Sequence, residues 1–437
     1  MRLLIITYSY HPALSPRAFR WKAVAEQLQR RGHAVHVLCA APGLEGPDGD
    51  GVTVHRVPDG LLRGHAHSAP GDAGARSSGD RSSSGRSPTD ALKAGARALA
   101  RALWRFFYWP DFACGWVWPA SRAVRALQAA QPFDWIISSS HPFSGHLVAL
   151  IARRSSSPAR WLVDISDPYS LMIEPSPFNR MLYGLPSRWV EARVLKRADA
   201  LSMTTASTRD LYEAAFPGAA AKTRVIGPVL SLPTFPARVR RPDGIVRLVF
   251  VGTLYRKLRS PEYLLACFAA LRSALPERML ELHFYGTLNG CEEDFSDLPP
   301  QVAPFVFIHG MVSRDVVLQA MVDADVLVNI GNHSEAQLAS KVIEYMAVGR
   351  PILNLSSIAQ DACEAVLADY PASLTVRREP DAATPGVPQA TVAALIRFVS
   401  DLRVVPEADA LAVRERYAPA CVARQYAEML EGTGGST

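Results

Sequence analysis

The sequence is poor in cysteine and contains no paired cysteine motif. Its six cysteines are scattered through 437 residues, and no two have the C-x-x-C spacing of a zinc or redox pair. A disulfide framework or a cysteine zinc site is therefore not expected, and a reducing compartment fits this usage best. No apolar run reaches the roughly 20 residues that a membrane-spanning helix needs.

The sequence also has little charge excess. Its 47 Lys and Arg residues against 41 Asp and Glu residues give a net charge of +6. This charge permits nucleotides or phospholipid surfaces as partners without requiring them, and it does not favour a nucleic-acid-binding protein. Hydrophobic residues make up 49% of the chain, which excludes wholesale disorder. These features predict a soluble, cytoplasmic protein of two or three domains.

The N-terminal residues predict a strand, a helix and a second strand. Residues 3–7 form a short apolar run, residues 18–31 carry apolar side chains at helical spacing, and residues 35–38 are apolar again. This order is typical of a doubly wound α/β sheet. The loop after the first strand lacks the G-x-G-x-x-G turn, which disfavours a dinucleotide dehydrogenase.

Composition changes divide the chain into two α/β domains. We expect an N-terminal Rossmann-like domain at 1–228 that contains a disordered Ser, Gly and Arg-rich loop at 63–88. A proline-rich, basic linker follows at 229–244, and a second Rossmann-like domain at 245–414 faces the first across a cleft. The final helical pattern, within 415–437, is expected to pack back on the first domain.

A basic turn follows the first strand of the second domain. Gly252 ends that strand and allows close backbone approach. Arg256, Lys257 and Arg259 follow within seven residues, before the next helix. Because ligands of open α/β sheets bind beyond the carboxyl ends of strands, these cations suit a diphosphate. A solvated basic loop is the alternative.

The strongest pattern predicts a helix at 338–347 that ends at Gly349, a left-handed C-cap candidate. Ser340 and Lys341 fall in its first turn, where free N–H groups and the helix dipole favour an anion. Glu344 lies on the same side as Lys341 and could accept hydrogen bonds from ribose hydroxyls. An ordinary amphipathic helix with Glu344 in a surface salt bridge is the alternative.

Several polar residues follow strands of the first domain. His141 could bind a phosphate or a sugar hydroxyl, whereas His146 on the next helix fits a core or surface histidine better. Asp167 could orient an acceptor hydroxyl or only cap a turn. Arg17 and Arg20 could both face the acceptor, although Arg20 could equally be a helix-surface cation.

Six segments spread over the chain carry a resemblance to a known family: YSYHPALSPRAFRWKAVAEQLQRRGHAVHVL, SSSHPFSGHLVAL, VDISDPYS, VLKRADALSMTTASTRDLYEAAFP, FVGTLYRKLRSP and VIEYMAVGRPIL. In this order they resemble the family 4 glycosyltransferases of the GT-B fold. The resemblance implies retaining transfer of a sugar from a nucleoside-diphosphate sugar to an acceptor hydroxyl, in cell-surface polysaccharide or glycolipid synthesis. It implies no metal and no further cofactor, and the sequence shows no metal-ligand constellation.

The resemblance also implies roles for particular residues. Glu344 would hold the donor ribose, and Arg259, with its neighbours in the basic turn, would neutralise the leaving diphosphate. Ser340 and Lys341 would add contacts to that diphosphate from the start of their helix. Glu335 would be the first glutamate of the family's paired-glutamate motif and lie near the donor sugar.

A basic amphipathic pattern occupies residues 90–109. Lys93, Arg97, Arg101 and Arg105 recur every four residues beside an apolar, aromatic-rich face. Such a helix can lie in an anionic lipid interface, or it can pack on the sheet with its cations in water. Members of the resembled family often act on lipid-linked acceptors at the inner face of the membrane, which implies a peripheral membrane location.

Two other functions stay open on the sequence. A nucleotide-sugar epimerase or hydrolase on the same fold would need a water-activating acid–base pair that the motifs do not show. A non-catalytic binding protein of the GT-B fold is the other alternative. The donor base, the sugar, the acceptor and the oligomeric state are not encoded in any motif that we recognise.

Overall fold

The computed structural model describes most of the chain as two compact units. The described residues are 1–13, 15–41, 51–59, 107–153, 158–172, 176, 178–230, 235–239, 243–256, 258–378 and 386–432. The predicted loop at 63–88, residues 90–106 and Lys257 lie outside them. The first unit comprises Met1–Val229 and the chain from Pro419 onward, and the second is Leu230–Ala418. No helix of the described ranges is both long and apolar enough to cross a membrane.

The first unit is built on a seven-stranded, fully parallel sheet in the order β3-β2-β1-β4-β5-β6-β7. Its central strands are buried on both faces, which explains their continuous apolar runs. The strands are β1 (Arg2–Ile6), β2 (Ala34–Ala40), β3 (Thr53–Val57), β4 (Trp135–Ser139), β5 (Arg160–Ile165), β6 (Ala200–Met203) and β7 (Thr223–Val225).

Helices cover both faces of this sheet. Helix α1 begins after Ser15, whose hydroxyl accepts a hydrogen bond from the Ala18 N–H at 3.2 Å and so caps the helix. Helices α1 and α13 pack on one face, and α2 to α5 pack on the other. The helices are α1 (Pro16–Arg30), α2 (Val117–Ala130), α3 (Ser144–Ala152), α4 (Arg180–Arg197), α5 (Ala206–Ala215) and α13 (Pro419–Gly432).

The second unit repeats this design with a six-stranded parallel sheet in the order β10-β9-β8-β11-β12-β13. Its strands are β8 (Val246–Val251), β9 (Leu280–Tyr285), β10 (Val306–Gly310), β11 (Val326–Ile330), β12 (Ile352–Ser356) and β13 (Ser373–Arg377). Its helices are α6 (Glu262–Ala274), α7 (Glu292–Ser296), α8 (Arg314–Asp323), α9 (Lys341–Val348), α10 (Ala362–Leu367), α11 (Gln389–Ser400) and α12 (Glu407–Arg416). The predicted α/β class with two doubly wound sheets is confirmed.

The C-terminal helix α13 completes the core of the first unit. The Tyr426 ring packs on Trp21 with ring centroids 5.5 Å apart. The Arg20 guanidinium is buried and donates to the Tyr426 hydroxyl at 2.7 Å, and that hydroxyl donates to Asp164 at 2.7 Å. Arg20 also donates to the Gly227 carbonyl at 2.8 Å. The placement of Arg20 toward an acceptor or on the helix surface was therefore wrong, because its charge is used inside this network.

Candidate functional site

In the second sheet the strand order reverses between β8 and β11. Polar residues that could bind a ligand follow the ends of these two strands. Helix α6 follows β8 on one face, and α9 lies between β11 and β12 on the other. Such a reversal leaves a crevice at the carboxyl ends of the two strands, where ligands of this architecture bind. Gly252 follows β8 and Asn332 follows β11, so both lie at this point.

The basic turn folds back on the end of β8. Tyr255 and Arg259 pair in antiparallel fashion, with N–H to carbonyl distances of 3.1 and 2.7 Å. This pairing returns the Arg259 guanidinium to Gly252, where an added Cβ would lie 3.4 Å from Nη1. Gly252 has a φ of +155°, which disfavours any side chain. The backbone conformation therefore favours glycine at this position, and a close approach of a ligand to Gly252 stays a prediction.

Arg259 is a largely enclosed cation without an anionic partner. Its Nη2 donates to the Asn332 side-chain oxygen at 2.8 Å, and its Nε is buried without a hydrogen bond. None of the described carboxylates lies within ion-pair distance of it. Burial lowers the pKa of Arg259, but the guanidinium remains charged at neutral pH. Because an uncompensated charge away from water is costly, this arrangement fits an anionic ligand.

Helix α9 presents an ion pair in its first turn. It begins at Lys341, three residues later than predicted, and Ser340 precedes it without a side-chain capping hydrogen bond. Lys341 Nζ lies 2.6 Å from Glu344 Oε2, and both side chains are half-buried. The helix ends at Gly349 in the left-handed conformation, as predicted. Glu344 therefore forms a salt bridge with Lys341, and this salt bridge holds its carboxylate beside the start of the helix.

Tyr345 fixes the start of α9 against the end of β8. Its hydroxyl accepts a hydrogen bond from the Val251 N–H at 2.9 Å and donates to the Val251 carbonyl at 3.2 Å. Burial raises the pKa of Tyr345; Glu344 raises it further, whereas Arg259 lowers it. Arg259 and Glu344 therefore both lie close enough to this phenol to act on it, at the same edge of the sheet.

Two other predicted residues, Arg256 and Glu335, are exposed. The exposed Arg256 donates to the Gly290 carbonyl at 2.9 Å and pairs with Glu293 at 3.3 Å. Glu335 is exposed in the irregular segment before α9. That segment is tied to the basic turn by a hydrogen bond from the His333 N–H to the Leu258 carbonyl at 3.2 Å. The donor-sugar role of Glu335 stays a prediction.

In the first unit, three predicted residues come together beyond the carboxyl ends of β1, β4 and β5. Arg17, at the start of α1, forms a half-buried ion pair with Asp167. His141 follows β4, beside β1 and β5 in the sheet, and both Arg17 and Asp167 act on its charge. Asp167 thus has a cationic partner, which a simple turn cap would not need.

His141 is held in its neutral form. Burial lowers its pKa to about 4, and Arg17 lowers it as well, whereas Asp167 acts in the opposite direction. Its ring packs on Phe112 with centroids 5.8 Å apart. At neutral pH the imidazole therefore offers one hydrogen-bond donor and one acceptor without a charge. This fits a sugar hydroxyl better than it fits a phosphate.

His146 is a core histidine, as its sequence position favoured. It is buried in α3, its Nδ1 lies 2.8 Å from the Ser138 hydroxyl, and its Nε2 has no hydrogen-bond partner. Burial lowers the pKa of His146 to about 3. Its ring packs edge-on against Phe143 with centroids 5.4 Å apart. The residue therefore acts as a neutral packing group.

This histidine should make the protein sensitive to acid. Unfolded His146 gains a proton near its ordinary pKa, whereas the folded form resists protonation, so stability is full above about pH 6.5 and falls toward about pH 3. The loss at about pH 5 is about 2 kcal/mol for such a group. We expect His146→Leu to flatten the dependence of Tm on pH below about pH 6.5. An equally steep curve would contradict this, and the exposed His333→Leu serves as control.

Two family models match the chain in succession. The model described as a glycosyl transferase 4-like domain matches residues 18–229, and the model described as glycosyl transferases group 1 matches residues 246–401. Together they cover most of the chain, so the protein belongs to the glycosyltransferases of the family 4 type. No curated protein matches its sequence.

Solved structures with the same two-domain design confirm the GT-B fold. WaaG, a glycosyltransferase involved in lipopolysaccharide biosynthesis, is 14% identical, with 99% of this chain and 100% of WaaG covered and a TM-score of 0.55. A trehalose-6-phosphate protein from E. coli bound with UDP-2-fluoro glucose is 11% identical, with 99% of each covered and a TM-score of 0.60. A putative UDP-N-acetylglucosamine 2-epimerase from Listeria monocytogenes is 11% identical, with 100% and 97% covered and a TM-score of 0.52.

The sequence analysis missed two residues that build the site. Asn332 holds the Arg259 guanidinium, and Tyr345 fixes α9 against β8. Asn332 could have been found, since it lies just after the apolar run at 326–330. Tyr345 could not, because only the fold shows that its hydroxyl reaches across to Val251.

Proposed function

We propose that the protein is a retaining glycosyltransferase that moves a sugar from a nucleoside-diphosphate sugar to an acceptor hydroxyl, in cell-surface polysaccharide or glycolipid synthesis. The observation that supports it most is Arg259, a largely enclosed cation at the strand-order reversal with no carboxylate partner among the described residues. The diphosphate of a donor would supply the missing negative charge. The described residues include no group of three side chains suited to a metal ion.

The second unit would bind the donor and stabilise the leaving group. As the sugar–phosphate bond breaks, negative charge develops on the diphosphate. Arg259, Lys341 and the N–H groups at the start of α9 would stabilise that charge from fixed positions. Glu344 would accept hydrogen bonds from the ribose hydroxyls, with Lys341 keeping the carboxylate oriented. Glu335 would lie near the donor sugar.

The first unit would position the acceptor. Asp167, oriented by Arg17, would accept a hydrogen bond from the reacting hydroxyl, and neutral His141 would bind a neighbouring hydroxyl of the substrates. The family resemblance supports retention. In that mechanism the acceptor oxygen bonds to the sugar on the face from which the diphosphate departs, and the departing phosphate takes the acceptor proton, so no separate base is needed.

A thermal-shift screen with UDP, GDP, ADP, dTDP and NAD tests donor binding. A ligand that binds only the folded state raises Tm by mass action. We expect one nucleoside diphosphate to raise Tm selectively and NAD to have no effect. Transfer assays with the matching sugar nucleotides would then show the anomeric configuration of the product by NMR. An inverted product would contradict retention, and no binding with no turnover would favour the non-catalytic alternative.

An epimerase or a hydrolase is the alternative enzyme, since a putative epimerase shares the fold. The same NMR assay separates these reactions. An epimerase would convert the sugar nucleotide without any acceptor, and a hydrolase would release free sugar at a rate that added acceptor does not change. A glycosyltransferase would form a glycoside only when an acceptor is present.

The proposed location is cytoplasmic, with peripheral binding at the inner membrane face through residues 90–109. The proposal rests on the sequence of that segment, with its basic stripe and apolar face. We expect the double variant Arg101→Glu, Arg105→Glu to bind anionic vesicles more weakly than the unaltered protein. Unchanged sedimentation with the vesicles would contradict a lipid role for the segment.

A further inference from the structure

Helix α4 exposes a row of large apolar side chains on its outer face. Met181, Leu185 and Trp189 have exposed fractions of 96%, 84% and 64%. Their spacing of four residues places them along one side of the helix, and the exposed Leu182 lies beside them. Single exposed apolar residues are common in proteins, but contiguous patches mark interaction surfaces.

The opposite face of α4 is firmly attached to the first unit. Val190, Val194 and Leu195 are buried in its core. The buried Glu191 accepts hydrogen bonds from the Ser170 N–H at 3.0 Å and from the Tyr212 hydroxyl at 2.6 Å. The inner face of α4 is therefore already packed in the core, and the outer row lies on the opposite side of the same helix.

A second exposed aromatic residue adjoins the row. Phe107 is 58% exposed, and its carbonyl accepts a hydrogen bond from the Tyr183 hydroxyl of α4 at 2.9 Å. Trp109 donates to the Ser187 hydroxyl of α4 at 3.0 Å. The chain that leads out of the basic amphipathic segment is thus bound to α4. We call Phe107, Met181, Leu182, Leu185 and Trp189 the outer patch.

Cations border the outer patch. Helix α4 contains five basic residues and one acidic residue, the buried Glu191. Arg188, Arg193, Lys196 and Arg197 are exposed, and the Arg193 guanidinium lies 5.7 Å from the centre of the Trp189 ring. An apolar row with a tryptophan and a basic border complements the headgroups and acyl boundary of an anionic lipid layer.

We propose that the outer patch docks the protein on an anionic lipid surface, with Leu185 and Trp189 entering the headgroup boundary and the basic residues on lipid phosphates. A second copy of the chain fits less well, since a symmetric pairing of this face would bring the same cations together. The inference adds a second lipid-binding element to the proposed peripheral location and does not depend on the transfer reaction.

Vesicle sedimentation without donor or acceptor tests the docking surface. The vesicles are phosphatidylcholine alone, or phosphatidylcholine with about one third phosphatidylglycerol, at about 0.15 M salt. We expect binding to the anionic vesicles only. The double variant Leu185→Glu, Trp189→Glu should bind at least about tenfold more weakly, because it removes two exposed apolar groups that docking would bury and adds two negative charges. Val404→Glu is the matched control, since Val404 is 90% exposed in the second unit.

The charge border is tested separately. Arg193→Glu with Lys196→Glu should weaken binding to anionic vesicles, whereas Arg403→Glu, at an exposed position of the second unit, should not. Tm shows that each variant is folded.

Equal binding to neutral and anionic vesicles, or wild-type binding by the Leu185, Trp189 variant, would overturn the proposal. The proposal would also be overturned if sedimentation velocity showed that the unaltered protein is a dimer, that the Leu185→Glu, Trp189→Glu variant is a monomer, and that both bind vesicles equally. Loss only in the Arg101, Arg105 variant would leave residues 90–109 as the lipid-binding element and exclude α4.

Discussion

We expect Arg259→Met to lower kcat/KM for sugar transfer by about 10²- to 10³-fold. The guanidinium stands at the end of β8, where the developing diphosphate charge would lie, and its Nε has no hydrogen-bond partner among the described residues. A fixed donor that acts on transition-state charge contributes at about this level. Methionine keeps much of the side-chain length while removing the charge and every N–H donor. The measurement is a steady-state assay with the donor identified by thermal shift.

The same substitution should not unfold the protein. Removing a largely enclosed cation that has no anionic partner among the described residues relieves a desolvation cost, so we expect Tm of the free protein to stay level or to rise. Arg256→Met is the matched control: it removes an exposed guanidinium from the same turn, where the partners are Gly290 and Glu293. Equal activity losses in the two variants would contradict a specific role for Arg259.

The second large effect is expected at Glu344. We expect Glu344→Ala to bind the nucleoside diphosphate about tenfold or more weakly, since a carboxylate that accepts two ribose hydroxyls makes charge-assisted hydrogen bonds. The sharper test compares a ribonucleoside diphosphate with its 2′-deoxy analogue by calorimetry. The unaltered protein should prefer the ribose form, and the variant should not distinguish the two.

The control for this test is Glu364→Ala, which removes a carboxylate that pairs with Arg377 and follows β12 in helix α10. Its ribose preference should be unchanged. If Glu344→Ala keeps the preference of the unaltered protein, the nucleoside does not lie on α9 and the pocket is wrongly assigned. Because Glu344 is half-buried on a short helix, Tm must be compared before binding is interpreted.

Strand prediction succeeded where burial dictates composition. The central strands are continuous apolar runs because helices cover both faces of each sheet. Two strands without a continuous apolar run, Thr53–Val57 and Ser373–Arg377, lie at sheet edges and are largely half-buried. Their polar and basic residues reflect the solvent that an edge strand meets, so their sequences do not stand out from loops.

Sequence order placed the candidate site residues after particular strands but could not give the directions of their side chains. The order of residues after each strand placed Arg17, His141 and Asp167 at one edge, and the structure brings them together. It could not show that Arg256 turns toward Gly290 while Arg259 turns toward Asn332, since this depends on the pairing within one turn. Side-chain direction in a loop is set by contacts that sequence order does not contain.

The return of the chain to its first unit has a consequence for synthesis. Helix α13 supplies Val422, Tyr426 and Leu430 to the core that also contains Trp21 and β1. A ribosome makes these residues last among the described elements, whereas Leu230–Ala418 is one continuous stretch. The second unit can therefore reach its native core first, although domains usually fold in the order of translation. Until these residues have been made, one face of the sheet in the nascent first unit stays incompletely covered.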